Sequence, residues 1–289
     1  MSSSIQSLSS ALKYLGSYRI PSGKMNENGP VMTNTSISPG GCYSVDQDKY
    51  EGLLQCQAED VASGIMSSIT EICEDVSHFK LDFDFKYKIP KVNEDEDMNA
   101  LPGRFIEIDE DIRDGIDIIQ NTILRVFRIS PDDEKTLRAY VLQRPSHHVL
   151  EDGIKCKDGL HIHFPNLVLS KLKREFLYNK VVTSLKQNDY LDSFRSAPYF
   201  LEEDLTKIVD KPATVRNPWM LYGCSKPGRR LPYKVTGIFD HDSEPIVGLR
   251  FKQECEDVLG LVKLFSMRPN VNSTDAIKFI DEKMEIMFR

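Results

Sequence analysis

The sequence predicts a sheet domain of α/β or α+β class, because helices with a 3.6-residue apolar period alternate with strands of period two. Of its 289 residues 40% are hydrophobic, enough to bury a sizeable core and too many for a wholly disordered chain. No segment offers the roughly 18 uninterrupted apolar residues of a membrane span. The Ser-rich N-terminus has no basic region leading into an apolar run. A soluble, intracellular chain with no membrane partner is the expectation.

The elements follow in order. Residues 1–44 are rich in Ser, Gly, Pro and Asn, with an apolar repeat at Ile5, Leu8, Leu12 and Leu15. They read as a docking helix and an irregular arm that includes the turn-prone SPGG before Cys42. Val61, Ile65, Ile69, Ile72 and Val76 fall on one side of a helical period and predict a core-facing helix. In KLDFDFKYKIP the period becomes two: Leu81, Phe83 and Phe85 point one way, Asp82 and Asp84 the other, and Pro90 ends the strand. After an acidic loop around NEDED, the stripe Ile112, Ile116, Ile119, Ile123 and Phe127 predicts a second helix. LRAYVLQRP and GLHIHFP read as strands, about Leu167 to Leu185 as a helix, and WMLYGCS as a further strand. From about Glu254, the apolar set Val258, Leu261, Val262 and Phe265 and a helix opened by Ser273 or Thr274 read as a helical cap. The expected division is 1–44 as the N-terminal helix and arm, and 45–289 as one domain whose cap is about 254–289.

Three constellations could carry chemistry. Asp82 and Asp84 project from one strand face, and two such close carboxylates raise one another's pKa unless a cation such as magnesium or manganese sits between them. The plainer reading is an acidic pair on a solvated face, with Lys80 and Lys86 as surface partners. His161 and His163 share a face of another strand. Lys155 and Lys157 lie just before them, and Gly159 permits close backbone approach, as a triphosphate would require. A polar strand face is the alternative. Asp210 follows the apolar pair Ile208 and Val209; Ser225 and Lys226 suit phosphate oxygens, and Arg229 and Arg230 suit a nucleic-acid backbone. A polar hairpin with a basic turn would also fit that segment. The six cysteines are scattered, with no CxxC pair, so reduced thiols and no zinc are expected.

The net charge of −7, from 37 Lys+Arg against 44 Asp+Glu, argues by itself against a generic nucleic-acid coat. Its distribution says otherwise. Residues 91–117 hold 10 acidic and 3 basic side chains, whereas residues 155–230 hold 14 basic and 8 acidic ones. A local, salt-sensitive grip on nucleic acid is compatible with that pattern.

Taken together and in order, these motifs resemble those of the archaeo-eukaryotic primase superfamily. The first is an acidic pair with one residue between, here Asp82 and Asp84. The second is a small residue, any residue, then His, here Gly159 and His161. The third is a lone Asp, here Asp210. The resemblance covers about Tyr43 to Phe265 and is closest to the N-terminal primase domain of poxvirus and giant-virus primase-helicases and to eukaryotic primase-polymerases. KDGLHIHFP and NPWMLYGCSKPG are similar to the viral group in particular.

The resemblance implies an α+β archaeo-eukaryotic primase fold, with an RRM-like catalytic sheet flanked by helices. It implies that Asp82, Asp84 and Asp210 hold two Mg2+ or Mn2+ ions. His161 would meet the nucleotide phosphates beside Gly159, assisted by Lys157, Ser225 and Lys226, with His163 ranked second. The implied activity is primer synthesis from nucleoside triphosphates on single-stranded DNA, in support of replication. A helicase domain or subunit would be supplied from outside this chain, which has no GxxxxGK[ST] loop. If viral, it would act in host cytoplasm or nucleus at replication sites. Two departures stand: an Arg of the third motif in the eukaryotic relatives falls at Met220, and their C-terminal zinc motif is missing. Two rival readings are a non-catalytic nucleic-acid-binding or scaffold module of a replication complex, and a non-haem iron oxygenase using His161, His163 and one carboxylate.

Overall fold

The computed structural model describes residues 9–22, 24, 29–89, 106, 108, 110–130, 133–195, 200, 204–228, 231–268 and 277–287. In chain order its first half holds α1 (Ser10–Gly16), β1 (Asn34–Ser36), β2 (Gly41–Tyr43), α2 (Gln47–Ala62), β3 (Ile69–Glu71), β4 (Val76–Lys88), α3 (Glu110–Val126), β5 (Phe127–Arg128), β6 (Ala139–Gln143) and β7 (His148–Val149). The second half holds β8 (Lys155–Ser170), α4 (Lys171–Gln187), α5 (Asp192–Arg195), α6 (Leu205–Ile208), α7 (Lys211–Val215), β9 (Trp219–Met220), β10 (Lys234–Phe239), α8 (Gly248–Glu256), α9 (Val258–Leu264), β11 (Lys278–Phe279) and α10 (Glu282–Met287). The mixture of antiparallel sheets and helices is that of an α+β protein, as expected. Among the described residues no helix is long and apolar enough to cross a membrane.

The chain divides into two compact units. One comprises His78–Val215, Val235–Ile246 and Asp275–Arg289. Its main sheet runs β10-β6-β8-β4, with β7 also paired to β8. β6 and β8 are antiparallel, with Tyr140 opposite His163 and Leu142 opposite His161. Alternation along the strands turns Phe79, Leu81, Phe83 and Phe85 of β4 and Leu160, Ile162 and Phe164 of β8 into the core. Ile112, Ile116, Ile119 and Ile123 of α3 and Leu177, Val181 and Leu185 of α4 pack in that same core. The opposite strand face is left to His78, Lys80, Asp82 and Asp84 of β4 and to Lys157, Gly159, His161 and His163 of β8. Glu110 and Asp111 open α3 and Arg125 closes it, each matching the helix dipole. Helix α4 starts at Lys171, later than the expected Leu167, because β8 runs on to Ser170. The Ser170 hydroxyl then accepts from the Lys173 amide and caps the helix.

The other unit comprises Met1–Ser77, Arg216–Lys234 and Val247–Thr274. Its antiparallel sheet runs β2-β1-β3-β9 over a core that includes Leu15, Tyr50, Leu53, Ile69, Leu221 and Val262. The arm expected to be irregular thus supplies two strands, β1 and β2; its Ser and Thr side chains suit short strands as well as loops. Thr35 and Thr70, for instance, face each other across β1 and β3 with hydroxyls 2.6 Å apart.

The helix expected from Val61 to Val76 does not form. The chain is helical earlier, over Gln47–Ala62, and stops at Ser63 and Gly64, whose φ of +70° only glycine adopts cheaply. Ile69 then lies in β3, so its fit to a helical period is coincidental. WMLYGCS forms a strand only at Trp219–Met220, against Glu71 and Thr70, before a turn at Tyr222 and Gly223. Of the stretch expected as a C-terminal cap, described residues 254–268 lie in this unit and 277–287 in the other. Ile5, Leu8, Pro90, the NEDED loop and a helix start at Ser273 or Thr274 lie outside the described residues.

Candidate metal centre

Two carboxylates come from β4 and one from the turn after α6. Phe83 and Phe85 are anchored in the core, which fixes the strand's rotation and presents Asp82 and Asp84 on the other face. Asp210 arrives through the backbone. Val209 forms an isolated antiparallel bridge with Phe83, and the Asp210 amide donates to the Asp82 carbonyl at 2.8 Å. Its side chain also opens α7, since Oδ1 accepts from the Ala213 amide at 3.0 Å. Helix α4 holds this segment on both sides. The Tyr178 hydroxyl donates to the Val209 carbonyl at 2.8 Å, and the fully buried Arg174 donates to the carbonyls of Leu169 (2.8 Å) and Val215 (3.4 Å).

One ligand atom each from Asp82, Asp84 and Asp210 lies within 4.8 Å of the others, the one such potential metal-holding group among the described residues. All three are half-buried oxygen donors, the hard set that divalent cations of the magnesium type prefer. Burial first, and then Asp82, pushes the Asp84 carboxyl above the ordinary carboxylate range, while Lys157 and His161 pull it back. The arrangement therefore demands positive charge. Lys157 forms an ion pair with Asp84, and His161 Nε2 lies 3.4 Å from Asp82 Oδ1. Gly159, half-buried, stands between those two basic residues on the same face of β8.

His163 is placed differently. It is fully buried, with Nδ1 3.0 Å from His78 Nε2. One of those nitrogens donates to the other, so the pair shares a single proton at that position. Burial first, then His78, His161 and Lys80, holds His163 well below its ordinary pKa, so it is neutral. The two histidines thus do not converge on one carboxylate as the iron-oxygenase reading requires. The surface pairing expected of Lys80 is also overturned, because Lys80 is fully buried. Sequence reasoning misses His78, although SHFKLDFDF carries the period of two back through Lys80 to His78.

Ser225 and Lys226 belong to the other compact unit. Ser225 is buried, its amide donating to the Ser67 carbonyl at 2.9 Å, and Lys226 is exposed. Arg229 and Arg230 lie outside the described residues.

A family model described as the C962R protein N-terminal AEP domain, an archaeo-eukaryotic primase domain, matches residues 33–239. "Putative helicase 184R" of Invertebrate iridescent virus 6 is 31% identical over 161 residues, which is 50% of this chain and 16% of that protein. "Putative helicase 022R" of Frog virus 3 (isolate Goorha) is 24% identical over 224 residues, 74% of this chain and 19% of that protein. The chain spans less than a fifth of the length of these curated relatives.

Proposed function

Because the chain belongs to the C962R-type family of archaeo-eukaryotic primase domains, we propose that it is a nucleotidyltransferase that makes or extends primers from nucleoside triphosphates on single-stranded DNA during viral replication. The observation that carries this reading is the convergence of Asp82, Asp84 and Asp210 beside His161 and Lys157. In the proposed mechanism the three carboxylates hold two magnesium or manganese ions. Bound there, such ions supply Lewis-acid stabilisation of the attacking 3′-oxygen and of the leaving pyrophosphate.

The remaining roles fall to the chain itself. Asp210 is held at fixed distance from β4 by the Asp82–Asp210 backbone bond, which preorganises the carboxylates. His161 and Lys157 present N–H donors to the triphosphate, and Gly159 between them leaves room for it. His163, neutral and buried, packs behind His161 as a positioning residue rather than a phosphate ligand. On the other unit, the exposed Lys226, together with Arg229 and Arg230, is assigned to the phosphates of the template backbone. A helicase region or subunit completes the working assembly, a proposal that follows the names of the two relatives.

The test is nucleotide incorporation with manganese on primed and unprimed single-stranded DNA. Asp82→Ala with Asp84→Ala is expected to abolish incorporation on both, a loss of at least about 10³-fold. Unchanged incorporation would sink the assignment. Activity on primed template alone would mark a polymerase that extends without initiating.

A further inference from the structure

Two of the basic side chains proposed to receive the triphosphate lie against carboxylates proposed to hold metal. Lys157 pairs with Asp84, with side chains only 26% and 19% exposed, and His161 faces Asp82 at 3.4 Å. An ammonium and a divalent ion cannot both take the same carboxylate oxygens at full strength. Lysine is the residue suited to yield, since its charge sits on a flexible four-carbon stem with rotatable donors. Asp84, in turn, is half-buried with a ligand atom within 4.8 Å of those of Asp82 and Asp210, so a cation beside it offsets the repulsion among the three carboxylates.

We propose that Lys157 is an exchangeable counter-charge: it neutralises Asp84 until a divalent ion takes that carboxylate, and the ion thereby releases it to the nucleotide's phosphates. This rests on the metal and nucleotide reading given above and adds a regulation to it. Ion and nucleotide become coupled through one side chain. The ion has to displace Lys157 to enter, and the nucleotide meets the released ammonium only once the ion is in place. A permanent structural ion pair would give no such coupling. A plain phosphate ligand would contribute equally with and without metal.

The experiment is a cycle on the full chain with Lys157→Met, which keeps the stem and removes the charge, and with Lys157→Gln as a second variant. Manganese alone is titrated by electron paramagnetic resonance. A non-hydrolysable nucleoside triphosphate analogue is then titrated in EDTA and in saturating manganese. Manganese is expected to bind the variants several-fold tighter than the native chain. The analogue is expected to lose about tenfold more affinity in manganese than in EDTA, within the usual range of coupling between sites. Manganese affinity that is unchanged or weaker in both variants, or an equal loss of analogue affinity in both conditions, would overturn the exchange. Asp82→Ala with Asp84→Ala separates the two readings. If that variant binds manganese as well as the native chain, the site assignment itself fails. If it loses manganese while the Lys157 variants bind it normally, the site stands and only the exchange is wrong.

Discussion

At the scale of single residues, His163 shows how burial decides what an imidazole does. Folded, it stays neutral; unfolded, it titrates near the ordinary 6.5. Above pH 6.5 both states leave it neutral and its full contribution to stability is present. Below that value the unfolded chain binds a proton that the folded chain refuses, so stability falls by at most about 1.4 kcal/mol per pH unit from this group. Urea denaturation at pH 7.5 and 5.5 is expected to show a smaller acid-induced loss in His163→Gln than in the native chain; equal losses would refute it. Tyr178 acts on the site from a distance. Burial, then Asp210, pushes its hydroxyl up to about 12, so it remains a donor to the Val209 carbonyl. Tyr178→Phe is expected to weaken manganese binding by about 1 kcal/mol, roughly fivefold, in the same titration. The three carboxylates are legible in the sequence because each follows apolar residues that fix its direction. Lys80 and His78 are harder to read, because the covering of a strand's polar face depends on packing that no local pattern records.

At the scale of elements, β4, β8 and α3 are legible because strong patterns coincide with punctuation. DFDF and HIH alternate cleanly, and the isoleucine stripe of α3 has four of its members fully buried. Helix α2 escapes the pattern because two positions of its buried face, Gln57 and Asp60, are polar. Asp60 is buried for a reason that only tertiary structure reveals: it accepts from the Ser9 hydroxyl at 2.6 Å and from the amides of Ser10 (2.8 Å) and Ala11 (3.1 Å), tying down the start of α1. Asp60→Ala strands those donors and is expected to cost about 2–3 kcal/mol. Limited proteolysis should then cut near α1 faster than in the native chain, and an unchanged cleavage rate would contradict the role.

At the scale of the whole molecule, the charge of −7 averages over regions of opposite sign. The acid-rich 91–117 stretch lies apart in sequence from the basic 155–230 stretch that carries the proposed phosphate-binding side chains. Binding to single-stranded DNA is therefore expected to weaken steeply with salt. Arg229→Ala with Arg230→Ala should lower the slope of log affinity against log salt by about 0.7 for each phosphate that is no longer neutralised. A binding isotherm insensitive to salt would overturn the local phosphate-backbone grip. The division of the chain into two units that each draw on distant segments is not legible in local periodicity, which is blind to long-range pairing. The same long-range pairing has a practical consequence at Asp210. Its amide, outside any helix or strand, is tied to the Asp82 carbonyl. Deuterium uptake at that one amide becomes a clock for the integrity of the carboxylate cluster, readable with no metal, nucleotide or template present.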